Sequence, residues 1–421
     1  MPETLTSLWQ ETAAPPPATV PLDGDRDADV AIVGGGYTGL STALHLALAG
    51  AKAVVLEQDA IGFGASGRNG GQVNPGIKID PPAIRAAYGE AMAARIIGLT
   101  GGAPDALFDI VGRHGIDCAP VQAGWVLPAH NPAALDKLRA KAASWRELGV
   151  AMRMLDRDET AALTGTSAYL GALVDPRGGA VQPLSLARGL AKAALAAGAA
   201  IHTESRVTRI AREGEGWLVA TPRGQVRARR VLIATNGYTG PLWPPLARSI
   251  VAVNSYQIAT GELDPATLSG LMEEGPTVSD TRRIVIYFRR FGKRFVLGGR
   301  GRFRDPRGTA DFAHLHRVAR SLYPALANVP FRHHWAGRVA MTADGLPHIH
   351  EPMPGLMIAL GYNGRGVALA TALGPVFAER LLGAEDVLPF GATPIRPIPL
   401  HGLQRLYVAA ALVGFRILDS F

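Results

Sequence analysis

Three glycines and one carboxylate offer the first chemistry in this chain. Gly34-x-Gly36-x-x-Gly39 follows the apolar run Val30-Ala31-Ile32-Val33, and Glu57 closes a second run, Ala53-Val54-Val55-Leu56. Glycines at this spacing let backbone N–H groups approach a pyrophosphate at a helix N-terminus, where aligned amide dipoles favour negative charge. A carboxylate at the end of the next strand is placed to accept hydrogen bonds from a ribose hydroxyl. An alanine-rich helical pattern from Leu40 to Ala49, stopped by Gly50, joins the two runs. The stretch reads as a βαβ unit that binds a dinucleotide.

Other chemistry is scarce. No Ser-His-Asp order or paired carboxylates stand out. His333, His334, His348 and His350 lack a supporting carboxylate cluster, so no metal site is expected. Cys118 is the only cysteine, which excludes an intrachain disulfide and any cysteine-based metal or iron–sulfur site.

At 421 residues the chain can bury a substantial core, and its length suggests two or three domains. The net charge of +8 invites a nucleic-acid reading. The basic residues are scattered, however, with no Lys/Arg run interleaved with aromatics, so no nucleic-acid partner is expected. Neither an export signal nor an apolar run of membrane-spanning length is evident, and a cytoplasmic soluble protein is the expectation.

The elements that must position the glycines are partly legible. Residues 1–27, with Pro15-Pro16-Pro17, read as an extended leader that Trp9 could anchor. Helices are expected over Ala91–Leu99, Pro132–Leu148 (capped by Asn131, stopped by Gly149) and Pro183–Ala197. Strand-like pieces near residues 30, 54, 231 and 358 imply a parallel sheet built from separated segments. An alternating region over 249–303 implies an antiparallel sheet inserted between them. The fold class is therefore α/β: a Rossmann-like domain in discontinuous segments, 28–88, 166–248 and 331–390, plus an α+β substrate domain on an antiparallel sheet, 89–165 and 249–330. Residues 391–421 read as a helical tail, with Leu406, Ala410, Val413 and Ile417 on one face.

Further glycine-rich loops extend the pattern: Gly62-Phe63-Gly64-Ala65-Ser66-Gly67-Arg68-Asn69-Gly70-Gly71-Gln72, then Thr235-Asn236-Gly237-Tyr238, Trp335-Ala336-Gly337-Arg338 and Gly361-Tyr362-Asn363-Gly364-Arg365-Gly366-Val367. With these, nearly the whole chain resembles the D-amino-acid oxidase superfamily of FAD enzymes, and within it the γ-glutamylputrescine oxidoreductase group. The resemblance implies FAD, held non-covalently because Cys118 lies far from the segment that tethers flavin in sarcosine oxidases. It implies cofactor contacts from Gly34, Gly36, Tyr37, Thr38, Gly39, Glu57 and Gln58. A second group is Gly64, Ala65, Ser66, Arg68, Asn69, Gly70, Gly71 and Gln72. A third is Val207, Thr235, Asn236, Gly237, Gly337, Gly361, Asn363, Gly364, Arg365, Gly366 and Val367.

The implied reaction passes a hydride from an amine C–H to flavin N5, giving an imine that water hydrolyses to an aldehyde, with few or no acid–base residues needed. The implied substrate is γ-glutamylputrescine or a related N-substituted amine. A D-amino-acid dehydrogenase or oxidase, or a sarcosine-like N-methyl amino acid oxidase, is the alternative. Oxygen or a quinone would accept the electrons. Tyr256, Tyr287, Arg289 and Arg300 on the inserted sheet are candidates for substrate contact, with Tyr287 and Arg289 sharing a face by the period of two. The C-terminal helix is a candidate for peripheral membrane contact.

Overall fold

The computed structural model describes residues 5–410 and contains two large sheets. The first is assembled from the four apolar runs legible in the sequence. Arg26–Val33 lies at its centre and pairs in parallel with Ala53–Leu56 on one side and Gly224–Ile233 on the other. Leu356–Leu360 extends the parallel order beyond Gly224–Ile233, and Ala200–His202 extends it beyond Ala53–Leu56. These strands read as continuous apolar runs because helices cover the sheet, so both faces need apolar side chains.

Helix Tyr37–Leu48 begins directly after the first glycine turn and packs against Gly366–Leu382. The two approach closely because their contact is made of small residues. The Ser41 hydroxyl donates to the Thr371 carbonyl at 2.7 Å, and any Cβ on Gly374 would run into Ser41. Helix Pro183–Ala196 packs on Tyr37–Leu48 as well.

The second sheet runs in the order Phe331–Met341, Val251–Thr260, Arg294–Arg300, Tyr287–Phe291, Thr277–Ser279, Trp125–Pro128, Ala172–Asp175, Arg153–Leu155. Its pairings are antiparallel except that Thr277–Ser279 runs parallel to Trp125–Pro128.

Several sequence expectations are corrected here. Phe331–Met341, expected in the nucleotide-binding segments, hydrogen-bonds along Val251–Thr260 and belongs to the second sheet. Ala172–Asp175 does the same beside Trp125–Pro128. Strand pairing is made across the chain, and a local apolar run carries no mark of which sheet it joins. The expected helix Ala91–Leu99 is part of Pro81–Arg113, interrupted at Gly89 where φ is 71°.

The leader is not simply extended. Leu8–Thr12 forms a short helix, with the Ser7 hydroxyl accepting from the Trp9 amide at 3.1 Å. Trp9 is fully buried, edge-on to Phe291 and Trp335 with ring centroids at 5.2 and 5.7 Å. At the other end, 404–410 is helical and Leu406 is 68% exposed. Ala410 is exposed too, and Val413 and Ile417, the rest of that expected apolar face, lie outside the described residues.

Candidate flavin and substrate site

A cavity of about 960 Å³ opens between the two sheets. The C-terminal ends of Arg26–Val33 and Ala53–Leu56 deliver their loops to it. That position, outside the carboxyl ends of parallel strands, is where open α/β sheets bind ligands.

Most of the residues singled out in the sequence face this space. From the first motif Gly34, Gly36, Tyr37, Thr38, Glu57 and Gln58 line it, and from the second loop Gly64, Ala65, Ser66, Arg68, Asn69, Gly70 and Gln72. Val207, Thr235, Asn236, Gly337, Asn363, Gly364, Arg365, Gly366 and Val367 complete the set.

Four expected contacts stand behind the wall instead. A Cβ on Gly39 would strike the Gly34 carbonyl, and one on Gly71 the Val181 carbonyl. On Gly237 it would lie 3.2 Å from the Arg338 carbonyl, and on Gly361, where φ is 79°, it would strike Thr342. Gly39, Gly71 and Gly237 allow backbone segments to pass close to one another, and Gly361 makes room for the Thr342 side chain.

The loops are held by their own polar groups. Glu57, buried, accepts from the Gly35 amide at 2.6 Å and from the Asp59 amide at 3.0 Å. Burial raises its carboxyl above the usual value, while these amides pull the other way. Ser66 accepts from the Tyr37 amide at 3.0 Å, and the Tyr37 hydroxyl donates to the Ser66 and Pro183 carbonyls. Asn69 closes its own turn: its Oδ1 accepts from the Gly71 amide at 2.7 Å and its Nδ2 donates to Ala65 and Ser66 carbonyls. Gln72 reaches the second sheet, donating to the Val278 and Phe288 carbonyls and accepting from Ser279. At the far loop Asn363, with φ of 52°, accepts from the Thr342 amide at 3.0 Å.

The second sheet contributes Ser255, Gln257, Ser279, Asp280, Thr281, Arg282, Val285 and Tyr287. Of the four residues expected to touch substrate, Tyr287 alone lines the cavity. Its hydroxyl bonds Ser255, and burial pushes its phenol up to about 12. The other three are corrected. Tyr256 is fully buried among core aromatics and donates to the Arg304 carbonyl at 3.0 Å. Arg289 is buried over the Trp9 ring and donates to the Val181 carbonyl at 2.7 Å. Arg300 has its guanidinium over Phe303 and does not line the cavity. Tyr287 and Arg289 share a face and press on the same loop, at Gly70 and Gly71, but Arg289 is taken up by the Trp9 ring and does not line the cavity.

Sequence reasoning missed Asn74, Lys78, Trp125, Asp280 and Arg282, which also line the cavity. Asp280, itself buried, pairs with the partly exposed Arg282 and accepts from the Ile286 amide at 3.0 Å. Its triplet, Asp280-Thr281-Arg282, sits at the end of Thr277–Ser279, and only the pairing of that strand brings it here.

The wall suits a flavin dinucleotide. Gly34 and Gly36 turn the chain into the N-terminus of Tyr37–Leu48, and Gly366 begins a second helix at the same cavity. The Gln257 Oε1 and Asn74 Oδ1 atoms, both buried on lining residues, have no hydrogen-bond partner in the protein. Unpartnered buried acceptors of this kind are satisfied by a ligand N–H. No cysteine or histidine lines the cavity among the described residues, and Cys118 is buried elsewhere, so neither residue type stands there to tether the cofactor. No group of three metal-ligating side chains occurs among the described residues, and none of their helices is long and apolar enough to cross a membrane.

A two-sheet architecture with a glycine-looped dinucleotide cavity between the sheets defines a flavin-dependent oxidoreductase. The chain belongs to the DAO family of FAD-dependent oxidoreductases, whose model matches residues 29–380. A probable oxidoreductase OrdL of Rhizobium meliloti is 34% identical over 90% of this chain and 89% of its own length. A gamma-glutamylputrescine oxidoreductase of Escherichia coli is 33% identical, with the same coverages. In fold, a glycine oxidase structure from Geobacillus kaustophilus superposes with a TM-score of 0.73, 24% identity, and coverage of 87% of this chain and 99% of that one. The protein is thus an FAD enzyme acting on amines or amino acids.

Proposed function

We propose that this cytoplasmic enzyme oxidises γ-glutamylputrescine or a related N-substituted amine. Bound FAD would supply the redox chemistry, as acceptor of the hydride that the amine C–H gives up. The observation that carries the reading is the continuity of the flavin wall with a second wall from the antiparallel sheet. Trp125, Ser279 and Tyr287 of that sheet line the same space as the glycine loops. Likeness to the relative of that name over nine-tenths of the chain supports the choice of amine.

The chain's own residues bind, orient and exclude water. Tyr287, locked to Ser255, fences the substrate with its ring. Gln257 offers Oε1 as an acceptor while its Nε2 holds the Arg68 carbonyl at 2.5 Å. No side chain pair arranged as nucleophile and base is required, since positioning the C–H against the cofactor supplies most of the rate.

Oxygen or a quinone then accepts the electrons. Anaerobic addition of γ-glutamylputrescine to the purified yellow protein is expected to bleach the flavin band. A band that persists with this amine but bleaches with D-amino acids or sarcosine would replace the substrate assignment.

A further inference from the structure

Large apolar side chains reach solvent one at a time along most of the described chain, but they gather near its end. Leu400, Leu403, Leu406 and Tyr407 are 73, 50, 68 and 38% exposed. The turn His401–Leu403 runs into the helical residues 404–410, so Leu403, Leu406 and Tyr407 fall at the three- and four-residue spacing of one helix face. Single exposed leucines are ordinary on a soluble protein; a contiguous group of them marks a surface that something covers.

The root of this segment is fastened beside the cavity. The Ile398 amide donates to the Arg248 carbonyl at 2.8 Å, and His401 Nε2 donates to the Ile250 carbonyl at 2.9 Å. Ile395 packs in the cluster that holds Leu242, Leu246 and Ile250. Gly240, Pro241 and Leu242, at the start of that same stretch, line the cavity, and the exposure of Gly240 and Pro241 marks where it opens to solvent. Charge around the apolar group has one sign. Arg248, Arg396 and Arg405 are exposed, and none of them forms an ion pair among the described residues. The sequence from Val387 to Leu418 contains no aspartate or glutamate.

We propose that this face docks on an anionic lipid surface, with the opening of the flavin cavity beside it. Leu400, Leu403, Leu406 and Tyr407 enter the boundary between headgroups and acyl chains, and Arg248, Arg396 and Arg405 meet the lipid phosphates. An apolar helix face flanked by cations and free of acids is complementary to such a surface in both respects. Neither signal holds a protein to a bilayer firmly by itself, and their combination does. A second copy of the chain fits the face poorly. A two-fold contact sets the same patch against itself, so three arginines would oppose three arginines with no carboxylate between them. The proposal is independent of which amine the enzyme oxidises.

The test is co-sedimentation of the full-length, FAD-loaded enzyme with vesicles of phosphatidylcholine alone or of phosphatidylcholine mixed with phosphatidylglycerol. Partition into the mixed vesicles is expected to be at least about tenfold stronger and to fall as salt is raised. Replacing Arg396 and Arg405 together by Gln is expected to lower it about tenfold or more, and Leu403→Ser with Leu406→Ser to abolish it. All four side chains are exposed, and the flavin absorbance of each variant reports that the cofactor domain is intact. Equal partition into the two vesicle types, no partition into either, or unchanged partition in both variants overturns the proposal. Sedimentation velocity without lipid covers the remaining occupant. A dimer that the Leu403→Ser, Leu406→Ser variant dissociates would assign the face to a second copy and overturn the lipid assignment; an unchanged oligomeric state is expected.

Discussion

The Trp9 indole N–H donates to the Asn69 carbonyl at 2.8 Å, so a residue of the N-terminal leader holds the loop that lines the flavin cavity. Next to it, the Arg68 carbonyl accepts from Trp335 at 3.0 Å and from Gln257 at 2.5 Å. Two successive carbonyls of the loop are thereby turned away from the cavity and fixed by the leader and the second sheet.

Trp9→Phe keeps most of the buried ring but loses the bond, at a cost of about 1 kcal/mol. Trp9→Ala empties the pocket between Phe291 and Trp335 and is expected to cost roughly 3–5 kcal/mol. Thermal unfolding measures both. Flavin content after gel filtration is expected to fall for Trp9→Ala; full retention would mean that the leader does not position the loop.

Glu57→Gln separates ligand binding from stability. Losing a charged acceptor is expected to weaken FAD by about 1.5–3 kcal/mol, read by titrating apoprotein with the cofactor. The apoprotein should respond in the opposite sense. Since the folded carboxyl lies above its ordinary value of 4.5, the folded state binds the proton more tightly, and stability falls as pH rises through the folded value. At neutral pH the ionised group is a cost that glutamine removes, an advantage that disappears below pH 4.5. Melting curves of both apoproteins against pH check the sign.

Arg289 should behave as a packing residue. It is buried against Trp9 and Phe291 with its guanidinium bonded to the Val181 carbonyl, and burial lowers it to about 9. Arg289→Met is expected to alter the melting temperature, with any change in apparent substrate affinity following loss of FAD. A large rise in KM with full flavin occupancy would restore a direct role in holding substrate.

The glycine spacing, the four apolar runs and Glu57 were readable because each is a local matter. A positive φ at Gly34, a strand covered on both faces and an acid at a strand end are fixed by neighbours within a few residues. Family resemblance then supplied the remaining loops, and nearly all of them converge on one cavity. Tertiary structure alone decided which side chains of the second sheet face that cavity. Period two put Tyr287 and Arg289 on one face, but the leader's Trp9 draws Arg289 into the core, and no local pattern records a partner so distant along the chain.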